Sequence, residues 1–133
     1  MARGIAPAAR LAAWVERYKK IIGLTEWDIL IQIEDSKDDA DSDIIVLMTV
    51  EAPKNYRHAI LHVYKVVFGL PVHKQEKCII HELLHLRFRS VDDYLERMLG
   101  CDGTIFSMWR DLMEESIDGL ANRLQEVCRA YRT

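Results

Sequence analysis

From Pro7 to Ile22 apolar residues recur every three to four positions, at Leu11, Ala12, Trp14, Val15, Tyr18, Ile21 and Ile22. That period predicts a first helix with one buried stripe. Pro7 suits its first turn and Gly23 supplies the stop. The period then shortens to two. In Trp27 to Glu34, the residues Trp27, Ile29, Ile31 and Ile33 share a face, which marks a strand. A polar connector occupies residues 35–43, and a second strand is expected from Ile44 to Glu51. Pro53 to Asn55 make a turn. A third strand runs from Tyr56 to Phe68, with β-branched Ile60, Val66 and Val67, until Gly69 and Pro71 break it.

The helical period returns over residues 73–89. Ser90 reads as the N-cap of a separate short helix, Val91 to Leu99, with Asp92 and Asp93 favourable in its first turn. Gly100 and Gly103 close it. A final long helix is expected from Ile105 to Tyr131, where apolar residues fall at 105, 109, 112, 113, 117, 120, 121, 124, 127 and 128. The order of helix, three strands and helices predicts an α+β fold: one domain over residues 1–133, with a small, mainly antiparallel three-stranded sheet. The third strand is expected at the sheet edge.

Composition narrows the classes. The chain has 133 residues, half of them apolar and 29% charged, enough for one independent core. Its net charge is 18 − 21 = −3, which gives no electrostatic case for nucleic acid or an anionic membrane. Lys54, Arg57 and His58 make at most a small basic patch. Charges interrupt the apolar pattern of residues 1–22, and no stretch reaches the ~18 uninterrupted apolar residues of a membrane span. Cys78, Cys101 and Cys128 are odd in number and contain no C-x-x-C pair, so free thiols in a reducing compartment are expected. The expectation is a soluble, cytoplasmic protein.

The chemistry concentrates in His81-Glu82-Leu83-Leu84-His85, inside an otherwise apolar run. On a helix the two imidazoles stand one turn apart, with β-carbons about 5–6 Å apart. That spacing suits one zinc ion at about 2.0–2.1 Å from each nitrogen, and the intervening glutamate can reach a water on the metal. Ile79, Leu83 and Leu86 mark one face, while Lys74, Cys78, His81 and His85 gather opposite. Such a helix suits the floor of a cleft. Cys78 reads as a small core residue rather than a ligand.

Other acidic and histidine patterns are weaker. Asp39-x-Asp41-x-Asp43 has the spacing of a calcium loop, but the glycine and the distal glutamate are missing, so it reads as a solvated loop. His58 and His62 on a strand would lie about 13 Å apart, too far to share an ion.

A catalytic zinc normally takes three protein ligands and leaves one position open. No histidine follows His85, so the third ligand must be a carboxylate, or a thiolate from Cys101 or Cys128. Glu114, Glu115 and Asp118 stand on the last helix. Glu114 could ligate while Asp118, one turn on, orients an imidazole through its other N–H. Ile117, Ala121, Leu124 and Cys128 place Glu114 at the margin of the buried stripe, whereas Met108 and Leu112 lean toward Glu115.

His81-Glu82-x-x-His85 followed by Glu114-x-x-x-Asp118-x-x-Ala121 resembles the ligand pattern of the gluzincin metallopeptidases, the thermolysin-like group, and above all their minimal single-domain members. Trp27-Asp28-Ile29 and the approach from Tyr56 to Ile60 are also similar to that type. The resemblance spans roughly residues 24–128 and rests on two specific motifs. It implies a zincin-like fold with one Zn2+ ion held by His81, His85 and Glu114, and Glu82 as general base. It implies, too, a peptide or protein substrate. Met113 stands where gluzincins often have asparagine before the ligand glutamate. No motif fixes the residue that steadies the oxyanion, for which Tyr94, His58 and His62 are the candidates. The alternative is a metal-stabilised binding or regulatory module on the same fold, without turnover.

Overall fold

A computed structural model describes residues 6–35, 46–53, 57–99 and 104–130. The element order is α1 (Pro7–Ile22), β1 (Asp28–Glu34), β2 (Met48–Glu51), β3 (His58–Tyr64), a 3₁₀ turn (Lys65–Gly69), α2 (Val72–Leu99) and α3 (Thr104–Ala130). The class is α+β, as the pattern of periods predicts.

Helix α1 ends where its sequence says it should. Gly23 adopts a left-handed φ of 88°, which only glycine reaches without a Cβ clash. The N–H groups of Gly23 and Leu24 both donate to the Lys19 carbonyl, at 3.1 and 2.7 Å. The chain then turns into β1 with Leu24 buried beneath it.

The sheet order is β1-β3-β2, so β3 is central. This corrects the expectation of an edge position for the third strand. β1 pairs with β3 in parallel, Asp28 opposite His58 through Glu34 opposite Tyr64. β2 pairs with β3 antiparallel, Met48 opposite Val63 through Glu51 opposite Ile60. The sheet is therefore mixed rather than mainly antiparallel. Alternation of side chains fixes which residues face the core but carries no information about strand direction. Ala59, Leu61 and Val63 are buried under the helices, while His58, Ile60 and His62 point to the other face. Leu30 on β1 shares that outer face and is 62% exposed.

β3 stops at Tyr64, because Val66 and Val67 belong to the 3₁₀ turn that leads into α2. The Pro71 carbonyl accepts from the N–H groups of Lys74 and Gln75, which opens α2 just before Val72. α2 continues unbroken to Leu99. Ser90 is thus interior, not an N-cap: serine costs a helix only a few tenths of a kcal/mol. Across that stretch Arg89 Nε lies 3.7 Å from Asp93, and Trp109 of α3 donates to Asp92 at 3.0 Å. Tertiary contact with α3 outweighs the local capping signal.

The core lies between the helices and one face of the sheet, built on Leu11, Tyr18, Leu24, Leu61, Ile79, Ile80, Leu83 and Ile117. Among the described residues no helix is long and apolar enough to cross a membrane. The connector residues Asp39, Asp41 and Asp43, together with Lys54 and Cys101, lie outside the described residues.

Candidate metal centre

Helix α2 buries Ile79, Ile80, Leu83 and Leu84 almost completely. That face is fixed, so His81 and His85 must emerge together on the side where α3 packs, one turn apart. Their rings tilt at 58° with centroids 4.9 Å apart, each about a quarter exposed or less. On α3, Ile117 and Ala121 are buried against the core. Glu114 lies one turn before Ile117, which carries its carboxylate over the imidazoles.

The three donors converge. His81 Nε2 is 3.2 Å from Glu114 Oε2, and His85 Nε2 is 2.8 Å from Glu114 Oε1. The two Nε2 atoms are 3.1 Å apart. One ligand atom from each of the three residues falls within 4.8 Å of the others. A neutral ring has only one N–H, so the two Nε2 atoms 3.1 Å apart cannot both donate to Glu114 and also satisfy each other. Burial pushes His85 below its ordinary value, and the neighbouring His81 works in the same direction; Glu114 and Asp92 oppose them. A neutral ring is the form that binds a metal. A divalent cation satisfies all three atoms at once, so the donor set fits zinc.

Glu82 lines the adjacent cleft, a space of about 730 Å³ whose walls include Met48, Leu70, His81, Asp118 and Gln125. Burial raises its carboxyl to about 8, with the Glu114 carboxylate adding to the effect. Asp118 Oδ1 stands 3.7 Å from His81 Nδ1, on the side of the ring away from the cluster. The same oxygen is 3.1 Å from Lys77 Nζ. Cys78 is half-buried in the cleft wall, where burial raises its thiol, and it is not one of the converging donors.

The remaining candidates sit elsewhere. His58 and His62 occupy the sheet face turned away from the helices: His58 approaches Asp28 at 3.5 Å, and His62 bridges Glu34 and Glu51 at 2.7 and 2.9 Å. Tyr94 is 59% exposed and nine residues past His85, about 13 Å further along the helix. Neither histidine nor the tyrosine joins the cluster. Glu115 is exposed and stands outside the trio. Cys128 packs against the core about 21 Å along α3 from Glu114.

Two neighbours escaped the sequence reading. Lys77 precedes His81 by one turn, and Asp92 follows His85 by two. Both are at helical spacing from a histidine, the signal that could have flagged them. Comparison of the chain with protein-family models, curated proteins and solved structures finds no match.

Proposed function

We propose that this chain is a zinc-dependent metallopeptidase of the gluzincin type, with His81, His85 and Glu114 as ligands and Glu82 as general base. The observation that supports this reading is the convergence of two imidazole nitrogens and one carboxylate, from separate helices, within 4.8 Å. When bound, zinc supplies Lewis acidity that polarises a carbonyl and acidifies water.

The chain's own residues supply the rest. Glu82, next to His81 on the cleft wall, takes the proton of the attacking water and returns it to the departing amine. Asp118 faces the Nδ1 side of the His81 ring at 3.7 Å, the side from which it would orient a ligating imidazole. The edge strand β2 offers a place for an extended peptide. Among the described residues only β3 pairs with it, and Val46 to Met48, leading into it, line the cleft. Free thiols at Cys78 and Cys128 suit a reducing, cytoplasmic setting.

A second reading has its own support. None of Tyr94, His58 and His62 stands at the cluster, so none of these three is in place to steady an oxyanion. A metal-stabilised binding module would need none. The two are separated by assaying zinc content and hydrolysis of a denatured protein. The peptidase reading expects one zinc per chain and turnover that falls about 10²–10⁴-fold in Glu82→Gln with zinc retained. Wild-type protein that holds zinc but cleaves nothing favours the module. Full activity in the variant removes Glu82 from the mechanism.

A further inference from the structure

At the far end of β2 lies a second recess, of about 590 Å³. Its floor is apolar: Leu24, Ala52 and Leu86 are buried and Trp27 is half-buried. Its rim carries four arginines, Arg57, Arg87, Arg89 and Arg97, against two acids, Glu26 and Asp93. Arg57 is paired with Glu26, and Arg89 approaches Asp93 at 3.7 Å through Nε. Among the described residues Arg87 and Arg97 have no carboxylate partner. The recess thus sums to 4 − 2 = +2 on a chain of net charge −3, so charge of one sign has been gathered here against the trend of the whole molecule.

Shape and place narrow the ligand. Arg89 and Arg97 are eight residues apart on α2, about 12 Å along its axis. An elongated ligand of about four extended residues matches that span better than a single small anion. Met48, the first residue of β2, lines the zinc-site cleft, while Ala52 and Pro53, which follow its last residue, line the arginine recess. A peptide added to the free edge of β2 would therefore run from one into the other. β2 spans about 10 Å.

We propose that this recess binds an acidic segment of the peptide substrate, about four residues to one side of the bond held at His81 and Glu82. The proposal rests on the peptidase reading for the placement of the peptide along β2. Guanidinium groups suit carboxylates because their planar fork donates two parallel N–H bonds. A polynucleotide is disfavoured by the acidic chain as a whole.

The test uses full-length protein in the Glu82→Gln background, so that no probe is consumed. Fluorescence anisotropy compares a peptide bearing three glutamates at one end, its glutamine counterpart, and an oligothymidylate of equal charge. The acidic peptide should bind roughly three- to tenfold more tightly than the neutral one. That preference should vanish in Arg87→Gln/Arg97→Gln, and at about 1 M salt, where the Debye length is ~3 Å. Both arginines are exposed, so the double variant should keep its melting temperature and zinc content. Equal binding of the two peptides, a preference untouched by the double variant, or tighter binding of the oligothymidylate would each overturn the proposal. Acidic preference in a protein whose wild type cleaves nothing sinks the peptidase reading but leaves the recess as an acidic-peptide site.

Discussion

Glu114 Oε1 stands 2.8 Å from His85 Nε2 across the packed faces of α3 and α2. The contact joins residues that only tertiary structure brings together, and Ile117, one turn on, is the buried anchor that sets it. A carboxylate 57% exposed in its side chain contributes little to stability as a mere ion-pair partner, since solvent screens the pair.

If Glu114 serves instead as a ligand, its loss has a signature no surface pair gives. Glu114→Ala should lower zinc affinity by more than about 100-fold, beyond the range for losing a group that only orients a ligand. Glu115→Ala should leave zinc unchanged. Metal analysis after dialysis, with a competitive chelator titration, reads both. Zinc lost in the second variant and kept in the first would reverse the assignment.

Asp118 lies between the His81 ring at 3.7 Å and the Lys77 ammonium at 3.1 Å. Its role beside His81 predicts that Asp118→Ala weakens zinc binding roughly 10–100-fold with the ligands intact. Lys77→Met removes only the competing ammonium and should not weaken it. An unchanged affinity in Asp118→Ala would leave that carboxylate with the lysine alone.

How much of this was legible beforehand depended on where each feature gets its stability. α1 could be read to the residue, because Pro7 and Gly23 are local signals with a local cause. The two histidines could be paired because a helix fixes their spacing whatever it packs against. Strand order could not: β3 became central because β1 lies beside it in parallel, a matter of connection rather than of alternation. The edge position expected of the third strand falls instead to β1 and β2. Glu114 could be favoured over Glu115 only through the stripe around Ile117 and Ala121, while the upstream residues Met108 and Leu112 pulled the other way. Those two are 60% and 59% exposed, so that stripe lies outside the core. Lys77 and Asp92 stayed hidden because their partners come from α3.

His62 on the outer face of the sheet gives a pH-dependent term. It pairs with Gln32 on β1 and Thr49 on β2, and the glutamates two residues further along each neighbour reach its two ring nitrogens. Hydrogen bonding to Glu51, then to Glu34, raises its pKa against the opposing effect of burial. A folded value above the unfolded one, about 6.5, means the stabilisation is fully present below that pH and fades as pH rises through the folded value. Denaturant titrations of wild type and His62→Gln should therefore differ most near pH 6, and the gap should shrink as pH rises. A gap that widens with pH would mean the ring is neutral in the folded chain.

Ser90 decides between two accounts of α2. At the boundary between two helices, as the local Ser90-Val91-Asp92-Asp93 pattern suggests, proline is tolerated, because the first turn of a helix leaves its N–H groups without intrahelical partners. Inside an unbroken helix the same residue removes a backbone hydrogen bond and drives its ring against the carbonyl one turn back, at a cost of about 3 kcal/mol or more. α2 runs from Val72 to Leu99 without interruption, so Ser90→Pro should destabilise by that amount, whereas Ser90→Ala should be neutral or slightly stabilising. The consequence should reach the metal centre as well. Trp109 is held to Asp92 at 3.0 Å, only two residues beyond the substitution, and Trp109 and Glu114 share α3. A kink at residue 90 would shift that contact and weaken zinc binding even though every ligand remains. Chemical denaturation together with the chelator titration measures both effects. A Ser90→Pro protein as stable as wild type, with undiminished zinc affinity, would mean that α2 ends before residue 90 after all.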